Sequence, residues 1–311
     1  MVGKRFAIFY TASVVSGAFG GILAGAITSD LHDAHGIAGW RWLFIVEGVA
    51  TVGVALVAYF VLLDYPATSK RLTPEERLLA TVRIVHDGIS NGSAGRRHLS
   101  HWQAFLAAIS DPRTYLFVVL FMLDVGSGTI SYFIPTITLS LGYNTVRAQY
   151  MTVPIYAVAA TCCNLTAWSS DRHVERRWHV AGPLAVGCVC AVVCVAVQTA
   201  VVRYVMLCFI AAGIWTALPL ILTWTSNVIV LPPEKRAIVI AMVNAFGNFS
   251  SVYGSRIWPS TDAPGYRIGF GVTAGFLGAG AALAAVIPVL CNLVSWKGTR
   301  AERDLAEDDV D

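Results

Sequence analysis

Eight apolar runs, each about the length of a bilayer crossing, constrain this chain more than any other feature. They cover residues 6–28, 42–63, 114–140, 148–168, 179–202, 204–230, 237–257 and 268–294. A helix needs about 20 mainly apolar residues to traverse the hydrocarbon core. The expected fold is therefore all-α, a polytopic membrane bundle with about eight transmembrane helices. Composition agrees: 13% of residues are charged, against roughly 25% in an ordinary soluble domain. Mean hydropathy is +0.64, and it is concentrated in the long blocks.

The first run invites a second reading. Lys4 and Arg5, an apolar stretch and Ala24-Gly25-Ala26 mimic a secretory signal. A signal core is about 7–15 residues long, however, and Phe6 to Ile27 exceeds it. Gly17, Gly21 and Gly25 also form a small-residue stripe of the kind that lets membrane helices approach closely. A retained span is expected.

Charge sets the orientation. Of the 22 lysines and arginines, all but Arg41, Arg147, Arg203, Arg256 and Arg267 fall on the segments that share a side with the N-terminus. Positive residues favour the cytoplasmic side, so both termini are expected in the cytoplasm. The long inner segment 64–113 contains a capping-box pattern, Thr73-Pro74-Glu75-Glu76, ahead of Leu78, Leu79, Val82 and Val85. An amphipathic helix is expected there, along the membrane surface or the inner face of the bundle. Residues 90–98, SNGSAGRRH, read as flexible linker.

All seven cysteines lie inside apolar runs, where they pack as small apolar groups, and no metal site or cofactor is expected. The seven histidines lie in loops or at span edges. No Ser–His dyad or histidine box can then form within a span, so the chain is not expected to be an enzyme. No nucleotide loop or nucleic-acid partner is expected either. The N-x-S/T matches at Asn91, Asn164 and Asn248 fall inside the cell or in spans.

Ionisable groups at depth are candidates for function. Asp124 is ten residues into the third run, ~15 Å down at the helical rise. With Gly128, Ser131, Pro135 and Thr138 it follows the helical period. It is either a protonated structural acid or a carrier of a coupling proton. Glu47 in GWRWLFIVEG, 39–48, is shallower. It is expected to take a hydrogen bond or a charge from a neighbouring helix, with Trp40, Arg41 and Trp42 anchoring the span end at the interface. Proton carriage is its alternative role. Two further polar stripes are Thr216, Pro219, Thr223 and Asn227, and Asn244, Asn248, Ser251 and Ser255. Each serves as interhelical glue or as cavity lining. Tyr132, Trp215 and Trp224 are candidate aromatic walls. Arg256 either guides an anion or snorkels to headgroups.

WSSDRHVERRW, 168–178, resembles the D-R-x-x-x-R-R/K loop that major facilitator transporters carry once in each six-helix half. Asp171 suits a helix cap, and Arg172, Arg176 and Arg177 suit helix C-termini and headgroups, a structural or gating role. Residues 4–27, 39–48 and 63–77 together resemble the fifth helix, sixth helix and central loop of allantoate permease-type anion:cation symporters. PTITLSLGYNTVRAQYMTVPIY, 135–156, and the stretch 224–271 resemble that branch's later half, with NVIVLPP at 227–233 as a departure.

The resemblance implies a partial major facilitator fold without counterparts of the first four helices. It divides the chain into 1–63, the end of the first bundle; 64–113, a cytoplasmic linker; 114–296, a six-helix bundle; and 297–311, a tail. It implies alternating-access symport of protons with a small organic anion or vitamin-like carboxylate, in the plasma membrane. The polar stripes on the sixth and seventh spans would then face the cavity. The alternative is a truncated, non-transporting remnant or an interaction partner of full-length transporters.

Overall fold

A computed structural model describes residues 2–31, 33–62, 64, 65, 68–86, 99–230, 232–293, 298 and 299. The linker expected at 90–98 lies outside the described residues, as do nearly all of the 297–311 tail and the side chains of Lys4, Arg5 and Val85. Among the described residues twelve α-helices follow in order: α1 Val2–Asp30, α2 Gly39–Val61, α3 Pro74–His86, α4 His101–Ser110, α5 Pro112–Gly128 and α6 Ile134–Ser140. Then come α7 Thr145–Tyr150, α8 Thr152–His173, α9 Arg177–Ala196, α10 Ala200–Val228, α11 Pro233–Gly254 and α12 Arg267–Leu293. No strand occurs among the described residues.

Seven helices among the described residues are long and apolar enough to cross a membrane: α1, α2, α5 with its 3₁₀ continuation, α9, α10, α11 and α12. The eighth long helix, α8, is diluted by threonines, Asn164 and two serines. It lies between α1 and α10, and its buried positions Thr152, Ile155, Tyr156, Ala159, Cys163, Ala167 and Ser170 recur at helical spacing. Neighbouring helices therefore cover one face of α8, and Asn164 at its edge donates to Thr11 on α1 at 2.7 Å.

The glycine stripe of α1 has a partner. A Cβ at Gly17 would lie 2.9 Å from the Tyr156 ring, one at Gly25 would lie 3.1 Å from Tyr150, and one at Gly21 would collide with Thr152. Small residues let α1 seat against α7 and α8 at close range. α9 and α10 approach in the same way, because a Cβ on Gly213 would stand 2.6 Å from the Pro183 carbonyl oxygen.

The third apolar run is not one helix. α5 tightens into a 3₁₀ turn at Thr129–Tyr132 and restarts as α6. Pro135 explains the break, since it offers no N–H to Ser131, four residues back, and its ring crowds that carbonyl. Gly126 and Gly128 carbonyls instead accept from the Thr129 and Ser131 hydroxyls, at 2.8 and 2.5 Å. The stripe expected from Asp124 to Thr138 therefore loses its register at this point.

Two other expectations change. Arg203, which falls between two apolar runs in the sequence, lies within a helix. It is buried in the first turn of α10, donating to the carbonyls of Pro264, at 3.1 Å, and Gly265, with Phe270 beneath its guanidinium. It clamps the segment ahead of α12. Glu47 is exposed, and among the described residues no neighbouring helix donates to its carboxylate, because α2 touches only α1 to any extent.

Candidate solute cavity

A cavity of ≈ 230 Å³ opens between α1, α5, α10 and α11. Its floor is aromatic and aliphatic: Tyr10, Phe121, Val125, Ile214, Trp215 and Leu218. Its polar rim combines Thr129, Ser131 and Tyr132 from the 3₁₀ break with Asn244, Asn248 and Ser251 from α11. Trp215 stands midway along α10, where substrate sites of secondary transporters lie. The break that misaligned the α5 stripe thus supplies half of the polar rim.

Asn244, Asn248 and Ser251 share one face of α11 through the helical period. Asn248 donates to the backbone and side-chain oxygens of Asn244 at 2.8 and 2.9 Å. This contact holds the two amides beside one another. Tyr156 meets Trp215 edge-on, with centroids 6.4 Å apart, and so braces the cavity wall from α8.

Asp124 belongs to the same stretch of α5 but does not itself line the cavity. Phe121, Val125 and Gly128 line the cavity on either side of it. Its side chain is 1% exposed, and neither carboxylate oxygen has a hydrogen-bond partner among the described residues. An unpaired charge in an apolar interior is costly, so Asp124 is the ionisable group of this region that packing leaves uncompensated.

Ser131, Tyr132, Asn244 and Asn248 therefore meet in one cavity, with Asp124 adjoining. Trp215 and Ser251, also expected from sequence, line it too, whereas Thr216, Thr223, Trp224, Asn227, Ser255 and Arg256 do not. Thr216 is buried, with its hydroxyl unpartnered among the described residues. Thr223 is buried and donates to the Pro219 carbonyl at 2.8 Å. Trp224 packs edge-on against Phe117. Asn227 is exposed near the end of α10, and Arg256 is exposed just past α11. Tyr10 and Thr129 were not singled out by sequence, because neither sits on a polar stripe with a helical period.

The α8–α9 turn differs in detail from its sequence reading. Asp171 does not cap a helix start. It lies in the last turn of α8 and pairs with Arg176 at 2.5 Å. Glu175 caps α9 instead, accepting from the Trp178 N–H at 3.0 and 3.1 Å and from His179 at 2.8 Å. Burial pushes the Glu175 carboxyl up, but these hydrogen bonds outweigh it and leave the pKa below its ordinary value. Arg172 and Arg177 stack over Trp168 and Trp178.

The model of the Major Facilitator Superfamily matches residues 1–255. The chain belongs to the major facilitator superfamily. With its apolar helices, membership makes it an integral, multi-pass membrane protein. It is 34% identical over 278 residues to MFS transporter prlL of Fungal sp. (strain NRRL 50135), across 88% of this chain and 55% of that protein. It is 33% identical over 299 residues to MFS-type transporter cnsO of Penicillium expansum, across 92% of this chain and 57% of the relative. A protein named putative tartrate transporter, from Agrobacterium vitis, is 28% identical over 288 residues, across 90% of this chain and 61% of its own length. The chain thus spans about half the length of the curated relatives it matches. Within this superfamily chain, the cavity joins α1 to α5, α10 and α11, from opposite sides of the long inner segment.

Proposed function

We propose that this chain carries the solute cavity of a proton-coupled symporter for a small organic anion, of the anion:cation type, working by alternating access. The observation that carries this reading is Asp124, buried and unpaired beside a neutral hydrogen-bonding cavity. No lysine or arginine lines the cavity among the described residues. An anion held by the Asn244 and Asn248 amides and the Ser131 and Tyr132 hydroxyls meets no fixed positive charge. It also meets repulsion from Asp124 if that group is ionised, because like charges interact strongly where water is scarce. Solute and proton therefore enter together, and rocking of the helix bundles carries both across. The name of the Agrobacterium vitis relative points the same way, since tartrate is a small organic anion.

Reconstitution into proteoliposomes tests this. Uptake of one member of a carboxylate panel is expected to follow an inward proton gradient. Asp124→Asn is expected to abolish gradient-driven uptake, and Asn248→Ala to raise the half-saturating concentration about tenfold. Uptake indifferent to the gradient, or none across the panel, contradicts the proposal.

A second reading, an interaction partner of full-length transporters, is favoured by one observation. Asn244, Asn248, Ser255 and Arg256 stay exposed along α11 beside bare Phe246, Phe249 and Val252. Null uptake together with co-purification of an intact transporter would establish that reading instead.

A further inference from the structure

Two short helices at one end of the bundle carry bulky apolar side chains that no protein element covers among the described residues. α3 exposes Leu78 at 67%, Leu79 at 71% and Val82 at 55%. These three lie on one helical face. α4 packs on α11, with Ala104, Ala107 and Ala108 buried. Its other face turns Trp102, at 66% exposure, outward with Phe105 and Leu106. The Trp102 and Phe105 rings stack, with centroids 5.6 Å apart.

Both helices are tied to the ends of long apolar helices. Arg71 donates to the carbonyls of Phe60 and Val61, the latter at 3.1 Å, in the last turn of α2. Arg77, in the first turn of α3, donates to the Ser69 carbonyl at 2.6 Å. The start of α3 is thus tied through side chains to the end of a membrane span. α4 runs directly into α5, because Asp111 both ends α4 and caps α5. Across residues 68–110, Lys70, Arg71, Arg77, Arg83, Arg96 and Arg97 outnumber Glu75, Glu76 and Asp87.

We propose that α3 and α4 form an in-plane anchor whose Leu78–Leu79–Val82 and Trp102–Phe105–Leu106 faces lie in the headgroup–acyl boundary of an anionic leaflet. Amphipathic helices bind there through their apolar face, and flanking basic residues draw them to anionic lipid. Trp102 suits the position, since indole rings favour the membrane–water interface. Of the two places open to the amphipathic helix on sequence grounds, the bilayer surface is the one consistent with α3 standing clear of the bundle.

Brominated-lipid quenching on the full chain in nanodiscs tests the anchor. Phosphatidylcholine brominated near the headgroup is mixed with phosphatidylglycerol. The Trp102 signal is taken as the difference between the full chain and Trp102→Phe, and the α3 signal from Leu79→Trp. Most of the emission from both positions is expected to be lost, with less lost when bromines sit near the acyl ends. Val82→Trp repeats the α3 reading should Leu79→Trp fold poorly. Unquenched emission at either helix overturns the proposal, whether the ring is in water or sealed under another protein surface. Replacing phosphatidylglycerol by phosphatidylcholine is expected to weaken quenching on α3. Undiminished quenching overturns the anionic requirement.

Discussion

Asp111 and Lys235 are 0% and 1% exposed and meet at 2.9 Å, joining the start of α5 to the start of α11. A lysine at a helix N-terminus opposes the helix dipole, so its burial there depends on the carboxylate. Arg113 adds a forked contact to both Asp111 oxygens, at 2.7–3.2 Å. Burial raises the Asp111 pKa, but the hydrogen bonds from Arg113 and Lys235 outweigh it and hold the carboxyl below its ordinary range. Asp111→Asn keeps the α5 cap, since Asn caps as well as Asp, but removes the negative charge that faces the buried Lys235 ammonium. It is expected to lower stability by about 3–5 kcal/mol, read as a fall in unfolding temperature in detergent. A group whose pKa is lower folded than unfolded contributes fully above the unfolded value, about pH 4. The contribution is lost as pH falls through the lower folded value. Acid titration of wild-type stability is expected to show that loss, and Asp111→Asn to lack it. This pair was not legible in the sequence, where both residues read as span-edge charges far apart in the chain. Asn244 and Asn248 were legible, because helical spacing alone places them on one face.

Helix contacts in this bundle turn on a few glycines. Gly213 faces the Pro183 carbonyl at a separation too small for a methyl group. Gly213→Ala is therefore expected to destabilise the α9–α10 pair by about 1–3 kcal/mol. Gly271 on α12 has open space where its Cβ would be. Gly271→Ala is expected to be neutral or to stabilise by about 0.5–1 kcal/mol, through helix propensity. Unfolding of the two variants in one detergent checks the contrast; equal losses would contradict close packing at Gly213. The helices themselves were readable because long apolar runs leave few alternatives. The break at Thr129–Tyr132 was not, since Pro135 within a membrane span fits either a kink or a restart. Neighbours decide which, and neighbours are not visible in a run of residues.

Among the described residues eight helices are long, seven of them apolar enough to cross a membrane and the eighth, α8, packed between α1 and α10. Reporters fused at the two ends are accordingly expected on one face of the membrane, the cytoplasmic one; opposite faces would contradict the arrangement. The cavity lies where α1 meets the helices that follow the inner segment, so under the proposed function solute binding would sense how those parts sit together. Its centre is the pairing of a neutral cavity with the buried acid beside it. If one proton accompanies each anion, affinity should fall about tenfold per pH unit once Asp124 would otherwise ionise. The most direct measurement is proton uptake on solute binding, followed with a pH indicator in weakly buffered detergent solution on that alkaline limb. The proposed coupling requires one proton taken up per solute bound by the wild type and none by Asp124→Asn. Binding without proton uptake in the wild type, or equal uptake in the variant, would contradict it.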